Sequence, residues 1–176
     1  QALWDLVGQH LGVPIHALFG GAVRDRIRLY ANINRAVQDR SPEGFARAAR
    51  QAVEEGYTAV KLAPFDELRQ PDHQRTGPRA AWRPGVARVE AVRTAVGEGV
   101  DLMVDCHGRM EPSEAVTVGQ ALGTCGLMWY EEPVSHTYPE HLAYVTSRVP
   151  MPTASAESLF AMEGFRPFLT QRAVDV

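Results

Sequence analysis

Three apolar runs in this chain each end in a carboxylate, and the ends are evenly spaced. Leu102, Met103 and Val104 lead into Asp105; residues 127 to 130 lead into Glu131; residues 152 to 156 lead into Glu157. The intervals 105 to 131 and 131 to 157 are both 26 residues. Successive strand–helix units give such spacing when each strand offers an acid at the same height. Side chains alternate along a strand, so Asp105 and His107 are predicted to share a face, with Cys106 on the other. Carboxylates at the ends of buried strands are costly to desolvate unless they have partners. Three such groups converging form a site for a hard divalent cation. All-oxygen ligation favours Mg²⁺, then Mn²⁺, whereas zinc would want Cys or His.

The rest of the chain supplies the units this spacing requires. Residues 2 to 11 place Leu3, Leu6, Val7 and Leu11 at helical spacing, closed by Gly12 and Pro14. Pro14 opens a short helix through Phe19, ended by Gly20 and Gly21. Residues 27 to 33 alternate loosely and predict a first strand. Ser41, Pro42 and Glu43 supply an N-cap, a proline at the first position and an acid in the first turn of a helix reaching Glu55. The second strand, 59 to 64, carries Lys61 near its end. Residues 65 to 83 form a polar, proline-containing loop, a length that in a compact domain signals function or disorder. Helix 84–96, the strand from 101, helix 112–123, strand 127–131, helix 139–148, strand 151–156 and helix 162–171 follow. Residues 173 to 176 begin a sixth strand.

Such alternation implies parallel strands joined by right-handed helical crossovers. An open doubly wound sheet and a barrel both satisfy it. No glycine-rich phosphate fingerprint follows the first strand. Instead, Lys61, Asp105, His107, Glu131 and Glu157 stand at the carboxyl ends of successive strands, where barrel active sites are built. The predicted fold is therefore α/β: a partial (β/α)₈ TIM-type barrel of the first five to six βα units. Residues 1–26 are read as a helical lead-in and 27–176 as an incomplete barrel domain, because a whole barrel needs about 250 residues. The chain starts at Gln1 inside a helical pattern and stops at Val176 inside a strand pattern, so both ends read as cut. Open strand edges invite pairing with another chain. The 176-residue polypeptide alone is accordingly expected to be inactive, and poorly soluble or associated.

Composition removes several classes of function. A net charge of −3 with scattered arginines argues against a nucleic-acid surface. No apolar run approaches the ~20 residues of a membrane span, and no signal peptide is visible. The two cysteines, Cys106 and Cys125, make neither a disulfide framework nor a zinc spacing, so a reducing cytoplasm is the expected compartment.

Singly, a strand-end acid serves as well as a helix cap or ion-pair partner, and His107 as well as a structural histidine. Their conjunction on three consecutive strands is what capping does not require. Residues 2–6 (Ala-Leu-Trp-Asp-Leu), 12–14 (Gly-Val-Pro) and 18–21 (Leu-Phe-Gly-Gly) carry a family resemblance together with Val60-Lys61, Val104-Asp105, Glu131-Glu132-Pro133 and Glu157. The chain resembles the enolase superfamily, mandelate racemase subgroup. Residues 105–109 (Asp-Cys-His-Gly-Arg) are similar to those of its acid-sugar dehydratases, the galactonate dehydratases among them. The resemblance implies that Asp105, Glu131 and Glu157 ligate Mg²⁺ and that His107 protonates a departing β-hydroxyl. It implies a hydro-lyase acting on an aldonate or aldarate by α-proton abstraction and enediolate stabilisation. It also implies a capping domain ahead of Gln1, and a homo-oligomer is expected of the full-length protein. A proton α to a carboxylate is very weakly acidic, so the dianion formed on its removal needs a cation beside it.

The departures from the family pattern narrow the chemistry. Related racemases and cycloisomerases carry Lys-x-Lys at the end of the second strand, whereas this chain has Lys61-Leu62-Ala63 and lacks the second lysine as base. The family's other base, a histidine paired with an aspartate, would fall beyond Val176. The usual Gly-Glu-Arg at the third ligand is Ala156-Glu157-Ser158. Lys61 either steadies the substrate carboxylate or pairs with a nearby acid. Arg109 either binds a substrate hydroxyl or carboxylate or forms a salt bridge across the barrel mouth. A racemase or epimerase with the same metal site, and a non-catalytic barrel fragment, are the competing readings.

Overall fold

The computed structural model describes residues 1–34, 37–68 and 81–176. Residues 69–80, most of the long loop expected at 65–83, lie outside them. Helices α1 (Ala2–Leu11) and α2 (Ile15–Leu18) come first, and α1 ends at Gly12 in the left-handed conformation, φ 67°. The barrel units follow: β1 (Ala31–Asn32), α3 (Pro42–Glu54), β2 (Ala59–Leu62), α4 (Arg83–Val96), β3 (Asp101–Asp105), α5 (Pro112–Ala121), β4 (Leu127–Glu131), α6 (Pro139–Thr146), β5 (Thr153–Ala154) and α7 (Ala161–Gln171).

All strand pairings are parallel, and the sheet order is β1-β2-β3-β4-β5. That order decides between the two architectures. A doubly wound sheet reverses its strand order at a switch point, whereas here each strand adds beside its predecessor without reversal. With right-handed crossovers, every helix then falls on the same side. Consistent with this, α3 packs on α4, α5 on α6 and α6 on α7. The fold is α/β and is a partial TIM-type barrel.

Local chemistry explains the elements. Ser41 Oγ accepts the Gly44 N–H at 3.1 Å, satisfying one of the first free donors of α3, and Pro42 gives up no bond there. The apolar face of α3 buries Phe45, Ala49 and Ala52. Phe45 is fully buried, worth about 1.5–3 kcal/mol of transfer free energy. Strand β2 is buried at all four positions, as expected of a parallel strand covered on both faces, and carries one polar residue, Lys61.

Three expectations change at the sheet edges. The first strand is two residues rather than 27–33. Its partner β2 begins at Ala59 and pairs from Ala31↔Val60, so residues 27–29 have no strand beside them. Arg28 instead spans to Thr58 and Asp101. The fifth strand is Thr153–Ala154 rather than 151–156. Residues 173–176 form no strand. They lie against β5, with the Asp175 and Val176 amides both 3.0 Å from Thr153 O and the Asp175 carboxylate accepting the Thr153 N–H at 2.9 Å.

The close fit of α4 on the end of β2 gives a test. A Cβ at Gly85 would stand 2.2 Å from two carbons of the buried Phe65 ring, whereas one at Gly99 would meet nothing within 4 Å. Gly85→Ala should lower the denaturant-unfolding free energy by about 1–3 kcal/mol through overpacking. Gly99→Ala should leave it nearly unchanged. Equal midpoints for the two variants would refute this account of the packing.

Candidate active site

The carboxyl ends of β2, β3 and β4 converge on Lys61. Its ammonium lies 2.9 and 2.8 Å from the two carboxylate oxygens of Glu131 and 3.2 Å from Asp105 Oδ2. Asp105 and Glu131 are register partners across β3 and β4, so the sheet itself sets their separation. All three side chains are nearly buried, at 8, 7 and 12% exposure for Lys61, Asp105 and Glu131. Burial would lower the Lys61 ammonium, but the hydrogen bond to Glu131 and the charge of Asp105 outweigh it and hold it above the usual lysine range. Of the two sequence readings of Lys61, the ion pair is what forms.

Aromatic groups flank the cluster. The Trp129 indole N–H donates to Glu131 Oε2 at 3.0 Å, and the Tyr30 ring meets Trp129 edge-on at 6.2 Å. Lys61 Nζ sits 5.6 Å from the Tyr30 ring centroid, within range of cation–π attraction.

His107 reaches Asp105 by a different route from the one predicted. Strand β3 ends at Asp105, and His107 (φ 50°) and Gly108 (φ 65°) turn in the left-handed region, so strand alternation does not carry the chain this far. The turn nevertheless places His107 Nε2 at 3.3 Å from Asp105 Oδ2 and its backbone N–H at 3.1 Å from Asp105 Oδ1. His107 Nδ1 lies 2.7 Å from Asp66 Oδ1. Asp66 also accepts from Asn34 Nδ2 at 2.9 Å. Burial would raise the Asp66 carboxyl, but these hydrogen bonds and the neighbouring positive charge hold it below its usual range.

Glu157 stands apart. It is exposed, beyond the end of β5, and among the described residues no three acids, histidines or cysteines gather in metal-holding geometry. The predicted convergence is thus met by Asp105 and Glu131 and not by Glu157. The acidic field nevertheless extends to it. The Glu132 carboxyl is buried and is pushed above its usual range, first by burial and further by the charges of Glu157 and Asp105. Against the carboxylates of Asp105, Glu131 and Glu157 stands the single buried ammonium of Lys61. Asp105 and Glu131 are the two that lie together, and both are paired with Lys61.

Backbone strain marks the same places. His107, Glu132 (φ 39°) and Ala156 (φ 87°) are non-glycine residues at positive φ, one at each of three successive strand ends. Such residues cost of order 1–3 kcal/mol and cluster at functional sites. Arg109 donates from Nη1 to Leu68 O at 3.3 Å, and its Nε is buried with no hydrogen-bond partner among the described residues. A cavity of about 430 Å³ opens between the loops after β3 and β4, lined by residues such as Glu111, Ser135, Tyr138 and His141. It takes in none of Lys61, Asp105, His107 and Glu131, so the ionisable cluster, rather than this cavity, defines the site.

Sequence reasoning missed Asp66, Asn34, Trp129 and Glu132. Asp66 and Glu67 are an acid pair directly after the second strand, where functional loops sit, and that position was the available signal. Glu132, which the sequence offers only as part of Glu131-Glu132-Pro133, is 7% exposed. Nothing in the sequence pairs Asn34 with Asp66.

The family described as Enolase C-terminal domain-like matches residues 44–176. The D-gluconate/D-galactonate dehydratase of Picrophilus torridus is 34% identical over 99% of this chain and 43% of its own length. The D-galactonate dehydratase of Verminephrobacter eiseniae is 34% identical over 100% and 44%. The D-xylonate dehydratase of Haloferax volcanii is 31% identical over 99% and 43%. The chain therefore spans less than half the length of these curated relatives. Among solved structures, a mandelate racemase/muconate lactonizing enzyme-like protein from Rubrobacter xylanophilus superposes with a TM-score of 0.85 at 35% identity, covering 98% of this chain and 48% of that one. A member of the enolase superfamily from Salmonella Typhimurium gives 0.84 at 31% identity, covering 98% and 47%. With the parallel singly wound sheet and the acids at its carboxyl edge, these likenesses establish that the chain belongs to the enolase superfamily, among its mandelate racemase-type members with an enolase C-terminal-like domain.

Proposed function

We propose that the full-length protein is an Mg²⁺-dependent hydro-lyase that dehydrates an aldonic or aldaric acid. The observation that supports this best is the joint placement of His107 and the Asp105–Lys61–Glu131 cluster at one mouth. That placement supports reading His107 as the acid and the two carboxylates as part of a cation site. The names of the relatives, dehydratases of galactonate, gluconate and xylonate, supply the substrate class.

In this reading Asp105 and Glu131, with Glu157 as the third ligand that the family resemblance implies, would hold the ion, which would supply positive charge against the negative charge developing on the substrate carboxylate. Lys61 keeps its proton, because its pairing with Glu131 and Asp105 outweighs burial. It therefore acts as a fixed positive charge, and a group outside this set removes the α-proton. Hydroxide is a poor leaving group, so His107 donates a proton to the β-hydroxyl, which departs as water. The enol that remains tautomerises to the 2-keto-3-deoxy acid. Arg109, at the end of the same turn, is assigned to a substrate hydroxyl or carboxylate. No described helix is long and apolar enough to cross a membrane. We assign a small-molecule substrate, no nucleic-acid partner, a cytoplasmic setting and a homo-oligomeric full-length enzyme.

Two measurements on the full-length protein test this. In isothermal titration calorimetry with Mg²⁺, the double substitution Glu131→Gln with Glu157→Gln should abolish binding while circular dichroism stays unchanged. Retained affinity would place the ion elsewhere. In a D₂O assay against a panel of aldonic and aldaric acids, His107→Asn should cut dehydration by ~10² to 10⁴-fold. Exchange of the α-proton should remain measurable by NMR. Dehydration at the wild-type rate would remove His107 from the chemistry.

A further inference from the structure

The loop after β2 does more than connect it to α4. It is fastened from below by two arginines. Arg40 Nη2 donates to Ala63 O at 2.8 Å, Arg88 Nη1 donates to Pro64 O at 2.7 Å, and Glu67 pairs with both guanidinium groups. Both guanidinium groups lie over the Phe45 ring, at 5.0 and 5.7 Å. Phe65 and Leu68 of the loop are buried. The loop is therefore anchored mainly by groups other than Asp66, whose carboxylate adds one longer contact, 3.8 Å, to Arg40 Nη2.

That leaves Asp66 available for another task. Its Oδ2 takes the Asn34 amide, Asn34 Oδ1 takes Arg40 Nη1 at 3.1 Å, and its Oδ1 faces His107 Nδ1 at 2.7 Å. Each carboxylate oxygen has a named partner, so the group cannot swing without breaking a hydrogen bond. His107, by contrast, is 38% exposed at its side chain and stands on a left-handed turn, so packing does not fix its ring. An ionised carboxylate only accepts, which requires the proton on Nδ1. The opposite edge, Nε2, is then the one turned to Asp105 and the mouth.

We propose that Asp66 is a positioning residue for His107: its carboxylate, held by Asn34, grips the imidazole at Nδ1 and directs Nε2 into the site. This rests on the dehydratase reading only in taking His107 as the acid. A purely structural Asp66 would disturb the loop, binding and every step together. A positioning residue acts through His107 alone.

The experiment uses the full-length protein with Mg²⁺ and whichever aldonic or aldaric acid the wild type dehydrates. Asp66→Asn should lower kcat for dehydration roughly 10- to 100-fold, within the ~10² to 10⁴-fold an acid supplies, with KM changed less than about threefold. The α-proton exchange should persist, Asp66→Glu should recover part of kcat, and Asp66→Asn should add nothing in a His107→Asn background. Independently of turnover, ¹⁵N NMR of the histidines should show His107, assigned by its absence in His107→Asn, protonated at Nδ1 in the wild type. That signal should shift in Asp66→Asn. If no sugar acid is dehydrated, the dehydratase reading fails while the ring signal still decides the role of Asp66. Wild-type kcat in Asp66→Asn, additive losses in the double variant, or an unprotonated wild-type Nδ1 would each overturn the proposal. The last needs no Asp66 variant to fold.

Discussion

A lysine ammonium buried between two carboxylates is the constraint on which the rest of this structure depends. Lys61, Asp105 and Glu131 come from three adjacent strands, and each offsets part of the cost of burying the others. Removing one member of such a buried set typically costs about 3–5 kcal/mol, because it strands an uncompensated charge. The sheet register, the burial of β2 on both faces and the Trp129 indole bond all serve to keep these charges at hydrogen-bonding distance. Stability and candidate chemistry are thus served by the same atoms.

Much of this was legible in the residues because it depends on local rules. The cap at Ser41, the prolines at helix starts and the apolar runs before Asp105 and Glu131 place α3, α5, β3 and β4 nearly where they fall. The 26-residue interval carried the order of the sheet as well, since equal units stack without reversal. What escaped depends on contacts between distant segments. Nothing in residues 27–29 says that their partner strand begins too late to pair with them. His107 was expected to share a face with Asp105 through alternation. The two do meet, but by a left-handed turn that a histidine adopts only at a cost. Asn34 and Asp66 are 32 residues apart, and no periodicity connects them. Glu157 has its place in the spacing, yet three residues past the last strand the sheet no longer dictates where its carboxylate goes.

The short segment from Pro64 to Leu68 is read from two sides. Phe65 is wedged against α4 at the one position where only a hydrogen atom fits, and the next residue, Asp66, touches His107. An error in the outer helical layer is therefore displayed first at the mouth, as a lost ångström of alignment, and only later as melting. A change in α4 thus reaches the imidazole as well as the stability of the fold. Helices α6 and α7 have no such route to the imidazole among the described residues.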